Sequence, residues 1–141
     1  KQARNSVLDL GIRLVICSPL TRALQTARHI FDGIAPIGVM AGAREKLSHS
    51  GDVGRSPKAL QADFPGLSFA GLDDIWWHHG LPNTLGYTVE PHKVFAQRVR
   101  VIATSLANMT PRPIAVVGHG DMFREMVGYV LDNCEICWYS G

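Results

Sequence analysis

The apolar positions of the chain change period several times between its ends, and each change predicts an element. Leu20, Ala23, Leu24, Ala27, Ile30 and Phe31 recur at the three- and four-residue spacing of one helix face, which predicts a helix over 19–31. Ser18 before Pro19 reads as its N-cap, with proline as the first helical residue. A helix is also predicted over 2–10, stopped by Gly11. Short apolar runs at 12–17 and 114–118 predict strands, and 36–40 predicts a weaker one. A short helix starts at the Ser56-Pro57 pair, 64–87 is irregular, and 91–109 is a long helix. The pattern then predicts a helix over 121–131, with Phe123, Met126, Val127 and Val130 inward, and a last strand over 134–139. Strands alternating with helices imply an α/β fold built on a mostly parallel sheet.

Such sheets bind ligands beyond the carboxyl ends of their strands. Two strand-to-helix junctions carry titratable or charged residues there: 17–22 (CSPLTR) and 116–121 (VVGHGD). Both direct helix N-termini, which favour anions, toward one rim. Arg22 repeats the positive charge of the helix start, a costly arrangement unless an anion lies between them. Its planar fork suits phosphate. The expected partner of Arg22 is therefore a bound phosphate rather than a side chain. His119 stands between Gly118 and Gly120, where the backbone can approach a ligand closely.

Composition narrows the classes further. The 141 residues suit one domain spanning 1–141, and 46% hydrophobic content supports a core. The net charge is +2 and the basic residues are scattered, which argues against a nucleic-acid partner. No apolar run approaches the roughly 18 residues of a membrane span, and no membrane partner is expected. The first ten residues do not read as a signal peptide, and three cysteines fit a reduced, cytoplasmic setting. Cys134 and Cys137 form a C-x-x-C, but on a strand they face opposite sides, so plain buried thiols are expected. Gly118 and Gly120 lack the third spaced glycine of a dinucleotide site, and no metal-ligand spacing occurs around His49, His78, His79 or His92.

At the two junctions the sequence resembles the histidine phosphatase superfamily, the phosphoglycerate mutase-like enzymes. Residues 18–27, SPLTRALQTA, match that family's S-P-L-x-R-A-x-Q-T-A. Val117-Gly118-His119-Gly120, followed by Phe123-Arg124, is similar to its second histidine motif. Ala43-Arg44-Glu45 resembles its L-x-E segment, with alanine for leucine. Glu90 and Arg98 resemble positions in the helix before the second histidine strand, and Asn133 and Ile136 its closing strand. The resemblance implies a three-layer α/β/α sandwich and a cofactor-independent enzyme that needs no metal. It also implies a nucleophilic histidine in an Arg-His-Gly motif, at the end of a central first strand ahead of Ser18. No Arg-His-Gly occurs in the chain, and 17 residues precede Ser18. That strand is expected to lie outside these residues, and the chain by itself to lack the nucleophile.

The implied reaction is phosphomonoester hydrolysis through a phosphohistidine, on a small phosphorylated metabolite. Arg22, His119 and Gly120 would bind the phosphoryl group, with His119 protonated beside the dianion. Glu45 would give the leaving oxygen its proton. Asp52 is the rival acid and Asp121 a more distant one. Trp76, Trp77 and His78 read either as a substrate-selecting rim or as a packed aromatic corner. A phosphoglycerate mutase and a non-catalytic phospho-ligand binding protein are the alternative functions. The pattern leaves the substrate and oligomeric state open.

Overall fold

The computed structural model describes residues 2–140. Three strands, β1 (Leu14–Cys17), β2 (Ile37–Val39) and β3 (Ile114–Val117), form a parallel sheet in the order β2–β1–β3. Around it run α1 (Gln2–Leu8), α2 (Thr21–Phe31), α3 (Pro57–Asp63), α4 (His92–Ala107) and α5 (Gly120–Val127). Cys17 pairs with both Val39 and Val117, so the three strands end level. The rim beyond them is tied by Ser18 N–H to Val117 O at 3.0 Å and Met40 N–H to Cys17 O at 3.0 Å.

Side chains alternate across the sheet, as the two-residue period of a strand requires. Val15, Ile37, Ala115 and Val117 pack with Val7 of α1 and Phe31 of α2. Ile16, Leu14, Ile114 and Val116 pack on the opposite face with Ile102 and Leu106 of α4. Helices therefore cover both faces, which makes the expected three layers. β1 has a strand on each side, and its last three residues are buried. β3 pairs only with β1 among the described residues and is half-buried along its length. A groove of about 1060 Å³ runs beside its outer edge, walled by α1 and α2 residues such as Val7 and Ile30 and by Phe123 and Met126 of α5.

The helix face predicted from 20 to 31 holds: Leu20, Ala23, Leu24, Ala27 and Phe31 are buried and Ile30 half-buried. Ser56 caps α3 as expected, its hydroxyl accepting from Ala59 N–H at 3.2 Å. Three expectations need correction. Helix α2 starts at Thr21 with Leu20 as N-cap, because Ser18 and Pro19 form the preceding turn and the Ser18 hydroxyl accepts from Leu20 N–H. Helix α5 ends at Val127, not at 131, because Gly128 takes a left-handed conformation (φ 87°) that closes the helix. Val130, expected inward, is consequently exposed. The strand predicted over 134–139 is absent. The segment turns at Asp132, whose carbonyl accepts from Glu135 N–H, and then lines the groove without a backbone partner among the described residues. Its β-branched and aromatic residues have strand propensity, but propensity without an adjacent edge makes no ladder.

The corner at Trp76 is packed. Trp76 is buried with Leu24, Leu60 and Phe64, and its indole N–H donates to Arg55 O at 2.8 Å. Trp77 meets it edge-on, with centroids 5.4 Å apart. Gly54 lies against both rings, and a Cβ there would overlap Trp77 and come within 2.5 Å of Trp76. Gly54→Ala should therefore destabilise the fold by about 1–3 kcal/mol through overpacking. A denaturant midpoint followed by tryptophan fluorescence checks this, and an unchanged midpoint would show that the corner yields.

Candidate active site

The level strand ends bring three loops to one rim. Ser18 follows β1 directly. His119 follows β3 after Gly118, and Glu45 follows β2 after a 3₁₀ turn at Ala41–Ala43. Arg22, Glu45, His119 and Gly120 all line the groove beside β3. The sequence-predicted catalytic set thus converges on one surface, from positions up to 97 residues apart.

His119 is buried at the N-cap position of α5. Its Nε2 lies 2.7 Å from the Ser18 hydroxyl. A hydroxyl can donate a hydrogen bond to a neutral imidazole or accept one from an imidazolium N–H, so this contact serves both states. Burial, and then the Arg22 charge, push the His119 pKa down to about 4, against an opposing pull from Asp52. Without a bound anion the imidazole is therefore neutral at neutral pH. Gly120 has no neighbour within 4 Å of where a Cβ would stand, whereas Gly118 packs against Phe123 and Met122.

Glu45 caps α5 from a distance in sequence. Its Oε2 accepts from Asp121 N–H at 3.2 Å, and its Oε1 from Met122 N–H at 3.1 Å and Lys46 N–H at 2.9 Å. Burial raises its pKa, and these backbone donors only partly oppose that. Asp121 stands in the first turn of α5, and the His119 side chain at the N-cap position makes no capping bond, so Glu45 fills that role.

The expectation that Arg22 faces only a bound phosphate is corrected. Its Nη2 donates to Asp52 Oδ1 at 3.1 Å and its Nη1 to Gly51 O at 2.9 Å. Asp52 is buried, and a buried carboxylate must be matched by donors. Besides Arg22 it accepts from Ser48 and His49 N–H, at 3.1 and 3.3 Å. The Arg22 side chain stays 49% exposed toward the groove. Asp52 thus anchors one edge of the guanidinium while the rest remains accessible.

Trp76, Trp77 and His78 do not join this groove. They line a separate cavity of about 340 Å³ with Arg44, Asp73 and His79. The two cavities are joined through one peptide, since Arg44 and Glu45 are consecutive and point to different ones.

The histidine phosphatase superfamily (branch 1) model matches residues 1–136. The chain belongs to this superfamily. A Schizosaccharomyces pombe protein described as a "probable phosphatase" is 29% identical over 118 residues, covering 79% of this chain and 52% of that protein. The chain spans about half the length of the curated relative it matches. No helix among the described residues is long and apolar enough to cross a membrane.

Sequence reasoning missed the supporting contacts. Ser18 was legible as a cap and as the first residue of the 18–27 motif, and Asp52 only as a rival acid. Glu90 and Arg98, eight residues apart, were legible only as positions of the resemblance, and nothing in the sequence joined them to Arg44 or to the backbone that carries Glu45.

The His119 shift has a stability consequence. Its folded pKa of about 4 lies below the ordinary 6.5, so between those values the unfolded chain binds the extra proton. The stabilisation is complete above pH 6.5 and is lost as pH falls toward 4, at most about 3 kcal/mol. His119→Asn should lose less stability than the parent between pH 7 and 4.5, by about 2 kcal/mol on that scale. Urea unfolding at the two pH values measures it, and equal losses would show that His119 is not buried as a neutral base.

Proposed function

We propose that the full-length protein hydrolyses phosphomonoesters of small metabolites through a phosphohistidine. The observation that carries this reading is the convergence of Arg22, Glu45, His119 and Gly120 on one groove at the sheet's carboxyl rim. A phosphoryl group in flight carries charge on its peripheral oxygens, and its transfer is catalysed chiefly by positioning and electrostatic stabilisation. Arg22, braced by Asp52, offers donors on its exposed edge. His119, once protonated, offers another beside the open backbone of Gly120.

The chain contains no Arg-His-Gly, so the nucleophilic histidine is assigned to a strand outside these residues. The outer edge of β3, unpaired among the described residues and with apolar walls on both sides, supports a parallel strand running there. The histidine nitrogen attacks phosphorus, the ester P–O bond breaks, and Glu45 protonates the departing oxygen. Water then attacks phosphorus, Glu45 takes its proton, the P–N bond breaks, and phosphate leaves. The raised pKa of Glu45 suits a group that must start protonated. Asp52 is less suited, because it is buried, is ion-paired to Arg22 and does not line the groove, as Glu45 does.

Hydrolysis is favoured over phosphoglycerate mutation. A mutase must keep water from its phosphorylated intermediate. Between Glu45 and His119 the chain packs Trp76 into the core beside α3, not over the groove. The cavity at Trp77 and His78 then receives the remote part of the substrate, with Arg44 on its wall.

In the full-length protein, Arg22→Ala should lower turnover of p-nitrophenyl phosphate on the order of 10²-fold, as for a lost transition-state donor. Arg22→Lys should recover part of that, since a point charge cannot copy the fork. Turnover within about twofold of the parent would remove Arg22 from the site. The 141-residue chain alone should show no turnover, and a strand carrying Arg-His-Gly should restore it with an acid-labile phosphohistidine. Offered 3-phosphoglycerate with catalytic 2,3-bisphosphoglycerate, the full-length protein should release phosphate faster than it forms 2-phosphoglycerate. The reverse order would make it a mutase.

A further inference from the structure

Glu45 lies in a stretch with no regular structure, between the 3₁₀ turns at Ala41–Ala43 and Ser50–Asp52. Such a segment does not hold a side chain to sub-ångström tolerance by itself. What fixes it comes from α4 and from Glu90, two residues before that helix. We infer that Arg98 and Glu90 are positioning residues for Glu45: they grip its backbone so that its carboxylate meets the start of α5. This rests on the reading of Glu45 as the proton donor, although the positioning can be measured without it.

The donor accounting is complete. Arg98 has five N–H groups. Its Nε and Nη2 meet both oxygens of Glu90, at 3.0 and 2.8 Å. Its Nη1 donates to Gly42 O and Arg44 O, each at 2.9 Å, and its Nη2 also reaches Glu45 O at 3.4 Å. Glu90 adds two contacts to the same stretch. Its carboxylate accepts from Leu47 N–H at 3.3 Å, and its own N–H donates to Leu47 O at 2.9 Å. Backbone groups of residues 42, 44, 45 and 47 are thus all held by one ion pair.

The surroundings make that grip stiff. Glu90 is fully buried, and the Arg98 side chain is 11% exposed, over the Phe95 ring at 5.1 Å. Arg44 approaches the same carboxylate at 3.6 Å. Burial would raise the Glu90 pKa, but the hydrogen bonds and charge of Arg98, with Arg44 behind, bring it below the ordinary value. The Glu90 carboxylate is therefore favoured in its charged form beside Arg98. A mere fold-stabilising pair would not need to spread its contacts over residues 42 to 47, the stretch that carries the acid.

The amides of Asp121 and Met122 report the result. They are the second and third residues of α5, where a helix offers N–H groups no acceptor of its own. Glu45 supplies their acceptor. If Arg98 positions Glu45, loosening Arg98 should free these two amides, although it touches neither. The variant for this is Arg98→Lys. It keeps a charge opposite Glu90, while one ammonium cannot span the carbonyls and both carboxylate oxygens. Glu90→Gln is the second variant, which keeps the shape and weakens the pair from the other side.

The experiment is amide hydrogen exchange on the chain, followed by kinetics on the full-length protein. Exchange at Asp121 and Met122 should quicken about 10-fold in Arg98→Lys, while Gly128, held by Arg124 O at the helix end, stays unchanged. Unchanged exchange at the first two amides, or equal acceleration at all three, overturns the proposal. In the kinetics, a misplaced acid matters most for a basic leaving group. Arg98→Lys should reduce kcat/KM for an alkyl phosphate about 10-fold more than for p-nitrophenyl phosphate, whose leaving group needs little protonation. Equal loss on both substrates means a structural role and overturns it as well. Glu45→Gln separates the two readings. If that variant shows no leaving-group split, the assignment of Glu45 as acid fails, and the exchange data alone decide whether Arg98 positions it.

Discussion

A carboxylate with no exposure to water is the constraint around which the rim is organised. Glu90 is expensive to bury unless paired and hydrogen-bonded. Two arginines and a backbone amide meet that demand, and Arg98 in turn must spend its remaining donors. It spends them on the carbonyls of the segment after β2, the segment that carries Glu45. Satisfying one buried charge therefore sets the path of a stretch that has no helix or strand of its own. The two guanidiniums share a single carboxylate, and burial together with the Arg98 charge lowers the Arg44 pKa to about 10, which leaves it charged.

The same logic operates on the other side of the groove. Asp52 is buried, and its needs are met by Arg22 and two backbone amides. Arg22 is held from behind while half of its side chain faces out. His119 is held by the Ser18 hydroxyl, and Glu45 by the first amides of α5. Each group that faces the groove is fixed by a partner outside it. Preorganised donors of this kind cost little to reorganise when charge develops.

The sheet connects these parts. Its strands end level because their parallel register pairs Cys17 with both neighbours, so loops after β1, β2 and β3 emerge side by side. Its asymmetry matters equally. β1 is enclosed by two strands, while β3 leaves an edge facing an apolar groove. The residues from 131 to 139 line that groove as coil, and Trp138 remains 72% exposed. An unpaired edge beside apolar walls is the place in this fold where another strand finds both hydrogen bonds and a core.

The local elements were legible in the sequence wherever periodicity and punctuation agreed. The α2 face, the Ser56-Pro57 helix start and the strands at β1 and β3 all follow from side-chain spacing and caps, which act over a few residues. The motif around Arg22 and the glycine-flanked His119 were legible because their chemistry is written in consecutive positions. The helix at 121–131 was read too long because an apolar face continues past Gly128, whose left-handed turn outweighs it. The strand at 134–139 failed for a different reason: a ladder needs a partner, and propensity cannot supply one. Tertiary structure alone decided the partners of the site. Asp52 lies 30 residues from Arg22, Ser18 101 from His119, and Glu45 77 from the amide of Met122. Buried polar groups seek whatever donor the folded chain brings near, and no spacing along the sequence encodes that proximity.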